Sequence, residues 1–169
     1  MKLDTITDER FRSGMQLLAS TVAVITAIHE DERSGMTATS VTSLSADPAS
    51  MLVCINRSTR THGFIMEERK FVVNLLAEDQ QQIANNFARP NSLEEKFLTG
   101  GNWKTTRSGI PVLEDGLAIF VCDVDQWMNT NTHTIFCGQI IECKLSPSKL
   151  PLIYGRQSYL KTSPLESVA

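Results

Sequence analysis

Residues 33–62 read RSGMTATSVTSLSADPASMLVCINRSTRTH. Two extended segments lie back to back here, Met36 to Leu44 and Met51 to Ile55, with Asp47-Pro48 between them. Proline fixes φ and lacks an N–H, so it turns the chain instead of continuing a ladder. The first segment carries the hydroxyls Ser34, Thr37, Thr39, Ser40, Thr42, Ser43 and Ser45, which form either surface filler or a hydrogen-bonding wall. The second is an apolar strand that ends in the polar Asn56 to His62.

Outward toward the N-terminus, Thr5-Ile6-Thr7-Asp8 has capping-box spacing with Asp in place of the usual Glu, and Phe11, Met15, Leu18 and Val22 follow at helical intervals. This predicts a helix from Asp8 to Ala19. Thr21 to His29 is β-branched and apolar on both faces, as in a strand buried on both sides, and Glu30 to Gly35 supplies a charged hairpin turn. Toward the C-terminus the pattern predicts a helix at Arg60 to Glu67 and a strand at Phe71 to Leu76. Helices follow at Glu78 to Phe87 and Ser92 to Phe97, then a loop from Leu98 to Asp115 anchored by Trp103. Leu117 to Met128, His133 to Leu145 and Leu152 to Arg156 are the remaining strands. Asn74 interrupts FVVNLL, and an amide inside a buried strand either pairs with the backbone or reaches a ligand.

Six or seven strands joined mainly by short turns predict a mainly β fold with a few helices, its antiparallel sheet closed into a barrel. At 169 residues the chain fits one domain, 1–169, with a real core. A net charge of −3 with scattered cations offers no basic face, so nucleic acid is not an expected partner. No apolar run reaches membrane-spanning length and the N-terminus lacks a signal-peptide core. Cys54, Cys122, Cys137 and Cys143 lie in apolar or strand-like surroundings without metal-ligand spacing, and read as buried thiols of a cytoplasmic protein.

GxGxxG, GxxxxGK[ST] and GxSxG are all missing, and His29, His62 and His133 have no acidic neighbour at a triad spacing. The chemistry left is that of a borrowed cofactor. A strand end entering a helix suits a phosphate, through Asn56, Arg57, Ser58, Arg60 and Thr61; the bland alternative is a polar loop whose Ser58 or Thr59 caps the helix. For the ring of such a cofactor, Thr37, Thr39 and Ser40 offer donors, and Cys54 and Ile55 an apolar face.

These pieces resemble the short-chain flavin reductase family, which includes reductase components of two-component flavin monooxygenases. The resemblance rests on an ordered set: Phe11-Arg12 with Val22 to Thr26, Gly35 to Ser40, Leu44 to Pro48, Cys54 to Ser58, Phe71 to Leu76, Thr132 to Phe136, and Pro151 to Tyr154. It implies the FMN-binding split barrel, and a flavin (FMN or FAD) held by Gly35, Met36, Thr37, Ala38, Thr39 and Ser40, touched by backbone groups of Arg33 to Thr37 and by residues near Asn86 and Phe87.

The resemblance further implies hydride transfer from NADH or NADPH to the flavin, a homodimer, and a monooxygenase that receives the reduced flavin. His133, in Thr-His-Thr-Ile-Phe, resembles the family's histidine near the nicotinamide, with Asn131-Thr132 where Gly-Asp is usual; alone, it reads as a structural strand-start residue. Tyr154, Arg156 and Tyr159 in PLIYGRQSY resemble the reductant-side residues, although Gly155 and Gln157 depart from the pattern, and alone they form a terminal edge strand. A non-catalytic flavin carrier, and an enzyme using flavin on its own organic substrate, are the other readings.

Overall fold

The computed structural model describes residues 4–89 and 93–163. Its helices are α1 (Asp8–Met15), α2 (Arg60–Glu68), α3 (Gln81–Ala88) and α4 (Leu93–Leu98). The strands are β1 (Ser20–Thr21), β2 (Ala23–His29), β3 (Glu32–Ala38), β4 (Val41–Ala46), β5 (Ala49–Asn56), β6 (Lys70–Leu75), β7 (Trp103–Thr105), β8 (Pro111–Leu113), β9 (Ala118–Asn129), β10 (His133–Leu145), β11 (Ile153–Gly155) and β12 (Ser158–Leu160). Seven strands form one sheet in the order β3-β2-β6-β9-β10-β5-β4. Every neighbouring pair in it is antiparallel. A small sheet, β1-β11-β12, and the hairpin β7-β8 complete the architecture.

β2 is buried on both faces, as its composition predicts. Ala23, Ile25 and Ala27 face a core with Val53, Ile55, Phe71, Phe136 and the α2 residues Phe64 and Ile65. Val24 faces the other way, with Val22, into a second core built from Leu76, Ile83, Phe87, Phe97 and Leu113. Each fully buried large side chain contributes about 1.5–3 kcal/mol. The central crossing of β6, β9 and β10 is tight: a Cβ on Gly138 would lie 2.7 Å from Phe71 Cζ.

Several expectations change. The strand expected over Thr21 to His29 breaks at Val22, whose N–H donates to Leu152 O and whose carbonyl accepts from Leu76 N, linking the two sheets. The strand expected over Met36 to Leu44 breaks at Thr39-Ser40, and Arg33 to Gly35 belong to β3 instead of a turn. The expected loop from Leu98 to Asp115 contains the β7-β8 hairpin. Asn74 fastens that hairpin down: its Nδ2 donates to Val24 O at 3.0 Å and Thr26 Oγ1 at 3.1 Å, while its Oδ1 accepts from Leu113 N at 2.8 Å. The backbone-pairing reading of Asn74 is therefore the one realised.

α1 is capped by Thr7, whose hydroxyl accepts from Arg10 N, and not by Thr5; it ends at Met15. None of its residues is buried, and Phe11, Met15, Leu17 and Leu18 stand exposed. Of the cysteines, Cys122 is buried, with its thiol pushed up to about 12 by desolvation and by Asp123, while Cys143 is exposed. Among the described residues no helix is long and apolar enough to cross a membrane.

Candidate functional site

Three cavities adjoin along the edge strand β3. The first, about 410 Å³, is lined by Gly35, Met36 and Thr37 of β3, Thr59, Arg60 and Thr61 at the start of α2, Ala88 and Arg89 at the end of α3, and Lys96 of α4. Thr37 and Ala88 also line the second, about 660 Å³, whose other walls are Asn85 and the β11-β12 residues Tyr154, Gln157 and Tyr159. Thr39, Tyr154 and Gln157 carry the surface on into a third, about 520 Å³, bounded by Ser40, Arg156, Met15 of α1 and Gln16, its C-cap. Shared walls make this one groove with a cationic end and an aromatic end. Each volume falls in the range of small-molecule sites, about 300–1,000 Å³.

Local interactions build the walls. Thr37 Oγ1 donates to Ala84 O at 2.7 Å, holding α3 against β3. Gly35 lets the Phe87 ring lie on the strand, since a Cβ there would come within 2.7 Å of Phe87 Cε1. Tyr159 donates its hydroxyl to Asn85 Oδ1 at 3.0 Å and stacks edge-on against Tyr154 at 5.3 Å between centroids. Desolvation and the neighbouring Tyr154 raise the Tyr159 pKa. Arg156 and Gln157 form the β11-β12 turn with φ of 50° and 60°, a conformation that glycine and asparagine adopt more readily. Two side chains are thereby kept at the groove where a turn sequence would ordinarily carry none.

At the cationic end Arg60 pairs with Glu32 and lies over the Phe64 ring. Thr59 caps α2 by accepting from His62 N. Lys96 is 8% exposed, and desolvation lowers its pKa. An apolar pocket margin and convergent polar groups in one concavity suit a ligand carrying an anion at one end and a planar ring at the other.

The structure divides the residues expected to form the site. Gly35, Met36, Thr37, Ala38, Thr39, Ser40, Arg60, Thr61, Tyr154, Arg156 and Tyr159 line the groove. Thr61 is nevertheless buried, its hydroxyl 2.8 Å from Ser34 Oγ. Ile55 is 0% exposed within the core, so its side chain offers no face to a ligand. Asn86 is also spent: its Nδ2 donates to Thr99 O and Oγ1, and its Oδ1 accepts from Gln82. Phe87 is a core residue that also lines the first cavity, and its neighbours Asn85 and Ala88 present the rest of the helix to the groove.

Cys54, Asn56, Arg57, Ser58 and His133 line none of the three cavities. Asn56 Oδ1 accepts from Ser58 N and Oγ, which closes the turn on itself. Arg57 donates to Thr130 O at 3.4 Å. His133 pairs with Asn56 across β10 and β5, with its Nδ1 2.8 Å from Thr132 Oγ1. His62 turns inward: Thr134 Oγ1 donates to Asn129 Oδ1, so its oxygen accepts from the Nε2–H of His62 at 2.8 Å.

Asn85, Gln157, Arg89 and Lys96 were not singled out from the sequence. Lys96 carried a usable signal, because it shares a helical face with Leu93 and Phe97 at i, i+3, i+4 spacing, where a lysine is out of place.

The family model for the flavin reductase like domain matches residues 15–163. The chain is 37% identical over 158 residues to the reductase component of an FADH(2)-dependent resorcinol hydroxylase of Rhizobium sp., covering 92% of this chain and 88% of that protein. It is 34% identical over 149 residues to the FMN reductase (NADH) RutF of Pseudomonas syringae, covering 88% and 83%. The fold superposes on the flavin reductase PheA2 with a TM-score of 0.83 at 28% identity, covering 94% of this chain and 100% of that one. It also matches the NADH:FAD oxidoreductase SgcE6 of Streptomyces globisporus, in a complex with NAD and FAD fragments, with a TM-score of 0.87 at 25% identity, covering 97% and 98%.

Proposed function

The chain belongs to the flavin reductase-like family, and from that premise we propose that the β3 groove is where it brings NADH and a flavin together, reducing the flavin for release to a partner monooxygenase. The observation that carries this reading is the continuity of the groove from its cationic end at Arg60, Arg89 and Lys96 to its aromatic end at Tyr154 and Tyr159. The residues present fit the group: the backbone of the edge strand β3, the hydroxyl of Thr39, and cations for a phosphate, while the Thr37 hydroxyl, expected as a donor to the ring, is committed to Ala84 O. When bound, the flavin supplies the chemistry, accepting a hydride equivalent from the reduced nicotinamide. This chain's residues bind and orient the two partners, and no side-chain acid or base is assigned.

Tyr154, Arg156, Gln157 and Tyr159 are proposed to seat the reductant, and Gly35 to Ser40 with Thr59 to Thr61 the flavin. His133, Asn56, Arg57 and Ser58 lie outside this groove in the single chain. A homodimer is part of the proposal: Phe11 and Met15 of α1, with Leu17 and Leu18 just after it, stand uncovered next to the third cavity, an apolar surface that a second copy would bury. So are a closed barrel, a single domain over 1–169, and a cytoplasmic location. Closure is supported by the two edge strands β3 and β4 being consecutive in the chain, with Cys54 N donating to Ser40 O at the corner between them.

The test separates a reductase that releases its product from a carrier that keeps its flavin. Protein, NADH and FMN or FAD are placed under anaerobic conditions on one side of a membrane permeable to flavin only, with cytochrome c on the other. Reduction of the distant cytochrome supports the proposal. Reduction confined to the protein chamber contradicts it.

A further inference from the structure

We propose that Gln157 is the residue by which this chain selects the carboxamide of its reductant, with Asn85 facing it across the second cavity. The inference rests on the reductase reading above and adds to it the group that is recognised. Gln157 is one of the two positions in PLIYGRQSY that depart from the pattern of the flavin reductases, so that pattern does not account for it.

The backbone gives the first reason. Arg156 and Gln157 are the two central residues of the hairpin that joins β11 to β12, and both have positive φ, 50° and 60°. A side chain in the left-handed region strains against its own backbone, which is why glycine and asparagine ordinarily fill such turns. The turn is nevertheless fixed in place. Arg156 N donates to Gln16 O at 2.7 Å, and Gly155 packs so closely that a Cβ on it would lie 3.3 Å from Ala19. Gln157 is thereby held at the joint of two cavities, lining the second and the third alike. Backbone strain of this kind persists where the surroundings enforce it, and it concentrates at binding sites.

The chemistry of the second cavity gives the other reason. Its walls hold three primary amides, Gln81, Asn85 and Gln157, and, among the described residues, no charged side chain. An ionised group brought here would lose its water without gaining a counter-charge, whereas a neutral amide finds both donors and acceptors. Tyr159 donates to Asn85 Oδ1 at 3.0 Å, so Asn85 has its N–H side left to offer. The carbonyl of an amide ligand accepts from that N–H, and its own N–H donates to Gln157 Oε1. Tyr154 and Tyr159, 5.3 Å apart between centroids, supply an aromatic wall for the ring that bears the amide. Thr37 borders the same cavity from β3, so a nicotinamide seated by Gln157 lies against the strand proposed to hold the flavin.

The test measures binding of oxidised dinucleotides to the FMN-loaded protein by calorimetry, which needs no turnover. The probes are NAD⁺, its 3-acetylpyridine analogue, which keeps the carbonyl but lacks the N–H, and its nicotinic acid analogue, which is a carboxylate. Wild-type protein should prefer NAD⁺ to the acetyl analogue by about two- to tenfold, the range for one neutral hydrogen bond, and should reject the acid more strongly still. In Gln157→Gly the preference over the acetyl analogue should disappear while FMN affinity stays unchanged, and the melting temperature should rise because glycine relieves the turn. Gln157→Glu, which keeps the acceptor, should restore that preference and bind the acid analogue even more weakly. Equal affinity of the wild type for NAD⁺ and the acetyl analogue, or a preference that survives in Gln157→Gly, would overturn the assignment. Either result in a protein that still oxidises NADH leaves the reductase reading standing; no dinucleotide binding and no NADH oxidation would remove both.

Discussion

Thr37 Oγ1 donates to the carbonyl of Ala84 at 2.7 Å, and this bond joins the edge strand β3 to helix α3 along the floor of the groove. Both walls of the groove depend on it, because Thr37 and Ala88 border two of the three cavities. Thr37→Val keeps the shape and removes the donor. The expected cost is about 0.5–1.5 kcal/mol of stability, read from the denaturant midpoint, together with weaker flavin binding. Unchanged affinity would mean that α3 is held in place by its core residues alone.

Asn74 makes a contrasting prediction, since it lines none of the cavities. Asn74→Ala leaves Leu113 N without its acceptor and removes the donor to Val24 O, each costing about 1–3 kcal/mol where the group stays unpaired. Stability should fall substantially in a urea titration, while the flavin affinity of the remaining folded protein should be nearly normal.

The two arginines of the Asn56 to Thr61 segment should differ. Arg60 lines the cationic cavity, whereas Arg57 is directed to Thr130 O. Arg60→Ala is expected to weaken FMN binding by about 1.5–3 kcal/mol if its guanidinium reaches the phosphate, and to spare riboflavin. Arg57→Ala is expected to change neither. Fluorescence titrations with both flavins check the pair, and a larger effect from Arg57 would move the phosphate out of the β3 groove.

Two histidines set opposite pH dependences. His29 has its pKa raised, chiefly by the hydrogen bond to Glu68 at 2.7 Å, so its contribution is fully present below the unfolded value of 6.5 and is lost as pH rises through the folded value. His62 has its pKa lowered by desolvation and by Arg57. Its contribution is present above 6.5 and is lost as pH falls through the lowered folded value. Ring-proton NMR should show His29 titrating above His62, and the reverse order would contradict both assignments.

How much of this was legible depended on how long and how periodic each segment is. β2, β5, β9 and β10 were readable because their apolar or alternating runs extend over many residues. β7 and β8 are three residues each amid glycines and polar residues, and periodicity cannot register so short a strand. β12 was hidden because an Arg-Gln turn lacks the Asn-Gly signature of a two-residue hairpin. In the site, composition pointed to Thr37, Thr39 and Ser40 and to the Asn56 to Thr61 segment, and the resemblance to the rest of Gly35 to Ser40, but neither could tell which polar atoms satisfy one another. Asn86 is taken up by Thr99 through a tertiary contact that no local pattern announces, whereas Asn56 is taken up by Ser58 in a local side-chain turn, the bland polar-loop alternative for that segment.

A reductase of this kind accelerates hydride transfer from NADH to a flavin held in the β3 groove. The most direct measurement is an anaerobic stopped-flow single turnover, with the protein–flavin mixture in one syringe and NADH in the other, following loss of oxidised flavin absorbance. Bleaching should saturate with NADH, consume one NADH per flavin, and slow markedly in Tyr159→Ala, which loses a wall of the aromatic end. Bleaching no faster than that of free flavin with NADH, and indifferent to the protein, would contradict the proposed function.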